Sequence, residues 1–434
     1  MSPGQIGIDF GTTNSSVARV TDSGAVQLAR FPTGENLTDS WRSLLYFEQI
    51  VEGHRKTVHS WTGPEGIERY LLAEHKGRLI QSLKSFLSSR SLHSTEVFGR
   101  RKTLEALIAQ ILKDLREKAA LQFGIDIRHA VAGRPVHFVG ADDEAGDSWA
   151  EKRLREAFRL AGFESVEFEM EPVAAAHFYE STLDHDELIL IGDFGGGTSD
   201  FSLLNVGPSI RQRGRAPGDL LGNAGVGLAG DAFDAKIVRH LVSPALGAGT
   251  QLRSMDKILP VPMWVYAKLE RWHHLSLLKA KEVMDMLGSV RGQALQPEKI
   301  AALIHLIRED LGYRLHRAVQ AVKCDLSERE TARFHFSDGV VELDAMVRRR
   351  EFEGWIVEEL GQIENCVDSL LRSAGVGARE VNMVFLTGGS SFVPSVRRIF
   401  ESRFGADRIK AGNEFTSVAR GLALSDTRNC RQFN

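Results

Sequence analysis

Residues 6–18 read IGIDFGTTNSSVA and residues 190–204 read LIGDFGGGTSDFSLL. Each stretch passes from an apolar, β-compatible segment into Asp-Phe-Gly, then small and hydroxyl residues, then a second apolar segment. That order is strand, glycine turn, antiparallel strand. A tight turn of Gly, Thr and Asn points several backbone N–H groups one way and makes a concave anion site, to which hydroxyls add donors. Asp9 and Asp193, at the ends of the two leading strands, set a carboxylate beside that anion. Carboxylate and phosphate repel unless a cation lies between them, so the pattern implies Mg²⁺, which takes a few carboxylates together with water and phosphate oxygens. One such turn is also what an ordinary glycine-rich hairpin looks like. Two matched turns on matched strands point to two structurally related lobes.

Outward from these turns, the chain alternates strands and helices. Gln5–Phe10, Ser16–Val20 and Ala25–Phe31 read as an antiparallel meander. Leu104, Leu107, Ile108, Ile111, Leu112 and Leu115 recur at helical spacing within Leu104–Leu121. Further helices are expected over Ala150–Ala161, Pro172–Tyr179, Ala232–Leu241, Trp264–Leu287, Pro297–Lys323, Phe352–Ser373, Val393–Phe404 and Thr416–Leu424. Strands are expected at Val166–Met170, Glu187–Ile191, Phe201–Val206 and Val381–Leu386, a strand followed by a loop over Ile127–Val139, and a hairpin over Arg333–Leu343. Residues 34–101 follow no single period.

Other phosphate and nucleotide motifs do not fit. Asp-Phe-Gly occurs in protein kinases, but no HRD-type loop and no GxGxxG followed by VAIK accompany it. There is no GxxxxGK[ST] P-loop and no GxGxxG of the dinucleotide-binding kind.

The two turns resemble the phosphate-1 and phosphate-2 motifs of the DnaK-type, seventy-kilodalton heat-shock family. FEMEPVAAAHFY (168–179) resembles that family's first connecting helix, SVARGLAL (417–424) its second, VFLTGGSSFVPSVRRIF (384–400) its adenosine motif, and GVGLAGDAFD (225–234) its GG-[DE]-x-[FL]-D segment. The matches keep the family's order from residue 6 to residue 424. The resemblance implies an α/β, actin-like ATPase fold with ribonuclease H-like duplicated lobes, each of two subdomains, around a nucleotide cleft. Lobe I would span 1–173, with an outer subdomain at 34–102. Lobe II would span 174–434, with an enlarged outer subdomain at 226–374.

Roles follow from the matched positions. Asp9 and Asp193 would hold the water shell of Mg²⁺, and Glu171 and Asp200 would orient the metal and the attacking water. Gly11, Thr12, Thr13 and Asn14 would cradle ATP or ADP phosphates from one lobe. Gly195, Gly196, Gly197 and Thr198 would do so from the other. Lys84, in SLKSFLSSR, stands where the family has its catalytic lysine, which would neutralise charge on the terminal phosphate. On the nucleoside side, Gly230, Asp231, Lys323, Ser327, Gly388, Gly389 and Ser390 match the family. Gln320, Cys324 and Phe392 depart from it: they replace a Glu and two base-stacking Arg residues, and leave Phe392 as an aromatic that can stack on adenine.

Only Ser425–Asn434 follows the last connecting helix, so the β-sandwich that binds peptides in full DnaK-type chaperones is expected to be lacking, as in the family's YegD-like branch. The expected function is that of a slow ATPase acting as a nucleotide-dependent, chaperone-like switch. Its partner would be an unidentified protein, with J-domain and nucleotide-exchange co-chaperones as candidates. The alternatives are an actin-like filament-forming or non-hydrolysing nucleotide-binding protein and, behind it, a sugar-kinase-like phosphotransferase, all of the same fold class. The stretch MWVYAKLERWHHLSLL (263–278) is expected to be a buried helix or an added recognition surface, and His273 and His274, adjacent on a helix, do not face one way as a metal pair would.

Composition agrees with a cytoplasmic protein. The 434 residues are 43% hydrophobic and 26% charged with a formal net charge of −3, which gives no global attraction to nucleic acid or acidic membranes. Cys324, Cys366 and Cys430 are far apart and read as reduced thiols. No signal peptide and no apolar run of membrane-spanning length is seen.

Overall fold

A computed structural model of the protein describes residues 5–34, 36–52, 55–73, 77–141, 143–271, 275, 278–411 and 416–425. Trp272, His273, His274, Cys430 and the rest of the tail after Ser425 lie outside the described residues. The fold divides into two compact units. One is built from described residues of 1–229, 362–391 and 396–434, and the other from 230–361 and 392–395.

The first unit holds two sheets of the same topology. In one, the order is Ser165–Met170, His129–Arg134, Ile6–Phe10, Asn14–Val20, Val26–Leu28, with Trp41–Arg42 also paired to Asn14–Val20. In the other, it is Ile409–Ala411, Met383–Thr387, Glu187–Phe194, Ser199–Val206, Leu220–Val226. Each Asp-Phe-Gly strand is central. It runs antiparallel to the strand after its turn and parallel to a later strand, with Gly7 opposite Val131 and Gly192 opposite Leu386. The repeat read in the sequence is therefore a repeat of topology.

Central strands covered on both faces should be apolar throughout, and Ile189, Leu190, Ile191 and Phe194 are all buried. The helix Leu104–Phe123 buries Leu104, Leu107, Ile108, Ile111, Leu112 and Leu115, as its spacing requires. Its ends are set by the Thr103 hydroxyl, which accepts from the Ala106 amide at 3.2 Å, and by Gly124 in the left-handed region. The segment that follows no period contains a sheet of Arg55–Thr62, Leu44–Glu52 and Arg78–Gln81 beside a helix, Gly63–Leu72. Leu44, Leu45, Tyr46 and Phe47 are consecutive and all buried, so no alternation marks the strand.

Glu171–Glu180 and Ser417–Leu424 are the two connecting helices, and they pack directly on each other. A methyl group added at Gly421 would overlap the carbonyl oxygen of Ala174. Only glycine permits that approach. Ala174, Ala175, Val418 and Leu422 join Ile189, Ile191, Leu204 and Phe385 in one core cluster.

The second unit corrects two expectations. Trp264–Leu287 is not one helix: Trp264–Leu269 ends early and Lys281–Gln293 starts after Ala280, whose extended backbone (ψ 139°) resets the axis. The break lets Leu287 and Val290 bury while Lys281–Gln293 packs on Pro297–Arg308. Pro297–Lys323 is likewise two helices, Pro297–Arg308 and Gly312–Glu328, separated at Asp310 with φ +53°. A reversal there allows both amphipathic faces to bury apolar residues. The hairpin has strands Thr331–Ser337 and Glu342–Arg348, with Ala332, Phe334 and Phe336 buried in strict alternation. Among the described residues, no helix is long and apolar enough to cross a membrane.

Candidate functional site

The site begins with strand register. Asp193 is paired across the sheet with Asp200 and, on its other side, with Thr387. Like charges directly opposite each other are unfavourable unless something else compensates them. Gly195 to Thr198 form the connecting turn, closed by Gly195 N–H donating to the Thr198 carbonyl at 3.0 Å. In the first sheet, Asp9 sits opposite Ser16, and Gly11 to Thr13 form the equivalent turn. Asn14 opens the next strand, and its side-chain carbonyl accepts from Arg42 Nη1 at 3.0 Å.

Glu171 opens the first connecting helix, with Pro172 fixing the helical φ of its first turn. Lys84 lies on a 3₁₀ turn, Leu83–Phe86, entered through Ser82 at φ +56°. A non-glycine residue held there stores strain, as functional sites often do. Lys84 Nζ reaches Glu171 Oε1 at 2.5 Å, and both side chains are more than nine-tenths buried. Arg153, 4% exposed, fixes the segment behind Lys84: it donates to the carbonyls of Leu87 (3.2 Å), Ser89 (2.9 Å) and Leu92 (2.9 Å) and pairs with Glu105 at 2.5 Å.

Asp200 is fully buried. Its Oδ1 accepts from the Val136 amide at 3.0 Å, whereas Oδ2 is buried without a hydrogen-bond partner. Asp9, Glu171, Asp193 and Asp200 thus set four carboxylates against the ammonium of Lys84 among the described residues. Burial, then Glu171, push Asp9 up to about 7. Burial and Glu171 push Asp200 up to about 7 as well, although Thr198 and the amides of Val136 and His137 pull the other way. Asp193 is driven well above the usual range by burial, then by Glu171, Asp9 and Asp200. Burial works against the charge of Lys84, but Glu171 and Asp9 more than offset it and raise its pKa. A buried set short of positive charge, all of it oxygen donors, fits a hard divalent cation.

A pH effect follows for cation-free protein. The folded pKa of Asp9 and Asp200 lies above the ordinary 3.8, so the folded state holds more protons than the unfolded state between about pH 4 and 7. Their contribution to stability therefore falls as pH rises through that window and stays low above it. Relative to wild type, Asp200→Asn should gain thermal stability at pH 8 compared with pH 5 in a chelator. An unchanged difference in melting temperature at the two pH values would refute this.

The expected nucleoside-side residues fall in both units. Gly388, Gly389 and Ser390 follow the strand Met383–Thr387 in the first unit, with Ser390 buried. Gln320, Lys323, Cys324 and Ser327 lie on Gly312–Glu328 in the second, as do Gly230 and Asp231 at the start of Gly230–Ile237. Lys323 Nζ pairs with Asp234 Oδ1 at 2.7 Å and donates to the Gly230 carbonyl at 3.2 Å. Ser327 Oγ donates to the Lys323 carbonyl at 3.1 Å, Cys324 is exposed, and Phe392 is 48% exposed rather than packed in a core. Sequence reading missed Asp234 as the partner of Lys323, although it closes the GVGLAGDAFD stretch. It also missed Val136, whose contribution is a backbone amide and so leaves no side-chain signal, and Arg153.

The family profile described as Hsp70 protein matches residues 72–256 and 305–427. The chain belongs to the Hsp70 family. Its fold is the actin-like ATPase fold of that family. Chaperone protein dnaK1 from Nostoc sp. is 26% identical, in an alignment that covers 96% of this chain and 54% of that protein. The chain thus spans about half the length of that relative. Residues 257–304 fall between the two segments matched to the Hsp70 profile. They include Lys281–Gln293 and part of the region whose helices break differently from the sequence expectation.

Proposed function

We propose that this Hsp70-family chain binds ATP and ADP with Mg²⁺ at the paired glycine turns, hydrolyses ATP slowly, and acts as a nucleotide-dependent, chaperone-like switch. The observation that carries the reading is the Lys84–Glu171 pair, buried at 2.5 Å within a set of carboxylates short of positive charge. Such a pair is costly to keep as a structural brace, because desolvating both charges offsets most of their attraction. It is well suited to a site where more negative charge arrives.

In this reading Asp9 and Asp193 hold the water shell of the cation, which when bound supplies charge neutralisation at the phosphates. Gly11, Thr12, Thr13 and Asn14, and opposite them Gly195, Gly196, Gly197 and Thr198, donate backbone and hydroxyl hydrogen bonds to phosphate oxygens. Asp200 offers Oδ2, buried and without a partner, to orient a water molecule. Glu171 holds Lys84 in place, and Lys84 offsets the charge that grows on the transferred group. No strong base is required, because positioning and electrostatics supply most of the rate in phosphoryl transfer. The residues expected to contact the nucleoside in the same reading are Gly230, Asp231, Gln320, Lys323, Cys324, Ser327, Gly388, Gly389, Ser390 and Phe392. The division into lobes at 1–173 and 174–434, with outer subdomains at 34–102 and 226–374, belongs to the same reading. So do kinship with the YegD-like branch, a cytoplasmic setting, and an unidentified protein partner or co-chaperone that senses the nucleotide state.

Titration calorimetry of the purified chain with ATP and Mg²⁺ tests it. Wild type should bind, and Asp193→Asn should weaken the Mg²⁺-dependent part of binding by about tenfold or more, the loss of one charge-assisted interaction. Absence of nucleotide binding by the wild type would sink the reading.

A further inference from the structure

The residue next to Lys84 is also placed at the turns. Leu83 and Leu87 are buried in the core of the first sheet and anchor the 3₁₀ segment on one side. Ser88 Oγ donates to the Val139 carbonyl at 2.5 Å and ties the same segment to the 138–140 loop. Arg153 holds its carbonyls from behind. Fixed in this way, the segment presents Ser85 to the Gly195–Thr198 turn. A methyl group added at Gly197 would lie 3.0 Å from Val139 Cγ2, 3.6 Å from Ser85 Oγ and 3.7 Å from Thr12 Oγ1. The hydroxyls of Ser85 and Thr12 therefore converge on the same glycine, and neither is hydrogen-bonded to another described residue. Any side chain at Gly197 would fill the space they share.

We propose that Ser85 is a further binding residue of the site, its hydroxyl donating to the outermost phosphate of a nucleoside triphosphate held between the Thr12 and Gly197 turns. The proposal rests on the reading of those turns as a phosphate site. Because Ser85 shares a turn with Lys84, it meets the terminal phosphate rather than the inner ones. It therefore discriminates ATP from ADP, whereas the turn amides serve both.

The test is calorimetric titration of ATP and, separately, ADP, each with Mg²⁺, into full-length wild type, Ser85→Ala and Ser85→Thr. A neutral donor lost from a charged acceptor predicts about tenfold weaker ATP binding for Ser85→Ala, with ADP affinity changed less than about twofold. Ser85→Thr keeps the hydroxyl and should retain ATP affinity within about threefold. Equal weakening of ATP and ADP, whether from lost shape or from misfolding, overturns the proposal. So does unchanged ATP binding by Ser85→Ala, or a Ser85→Thr variant as weak as alanine. In those three cases wild-type binding keeps the nucleotide reading intact. A wild type that binds neither nucleotide ends both.

Discussion

Lys84→Ala is expected to leave ATP bound and to lower its turnover by about 100- to 1,000-fold, the usual cost of removing one group that stabilises developing charge in a water-poor site. Two opposing effects decide the binding result. Removing the ammonium takes away an attraction for the triphosphate. It also leaves Glu171 buried without its 2.5 Å partner, beside Asp9, Asp193 and Asp200. A bound Mg²⁺ would compensate part of that added negative charge in the ground state, so affinity should change far less than rate. Single-turnover hydrolysis by the variant, measured beside its ATP affinity, separates the two. Turnover within about threefold of wild type would remove Lys84 from the chemistry. The same buried pair would then be a structural brace.

Gly421→Ala is expected to destabilise the protein by about 3 kcal/mol or more, at or beyond the upper end of ordinary overpacking. The added methyl would overlap the carbonyl oxygen of Ala174, a backbone atom with no rotamer to change. Relief must come from sliding the helix Ser417–Leu424 away from Glu171–Glu180. That motion would disturb Glu171 at the head of its helix and the hydrogen bond between Thr387 Oγ1 and Ser417 Oγ at 2.6 Å. Chemical denaturation read by circular dichroism checks the magnitude. A loss under about 1 kcal/mol would mean that the helices separate at little cost, against the close packing seen at protein cores. Because the substitution is apolar and lies outside the glycine turns, any fall in nucleotide affinity would report helix displacement and not a lost contact.

The legibility of the fold varied with how local its cause was. The two Asp-Phe-Gly turns were readable because strand, turn and strand are contiguous, and their duplication reappears as two sheets of identical strand order. The helix Leu104–Phe123 was readable from its period and its Thr and Gly ends. The strand Leu44–Glu52 was not, since burial of successive residues at its start erases the alternation. The long helices expected over Trp264–Leu287 and Pro297–Lys323 failed for a related reason. No proline interrupts either stretch at Ala280 or Asp310, yet the chain turns at both positions in the second unit.

For the site, the sequence by itself determined which carboxylates, glycines and hydroxyls stand beside the turns, because their order along two strands fixes their register. It also determined the family resemblance that the profile match bears out. Only the tertiary structure decided that Lys84 closes on Glu171 eighty-seven positions away. Only it decided that a backbone amide at Val136 holds Asp200, that Asp234 holds Lys323, and that Ser85 faces Gly197. Those relations join residues far apart in the chain through burial and close approach. Neither quantity is encoded in any local pattern of residue types, and each exists only once the sheets and helices have packed.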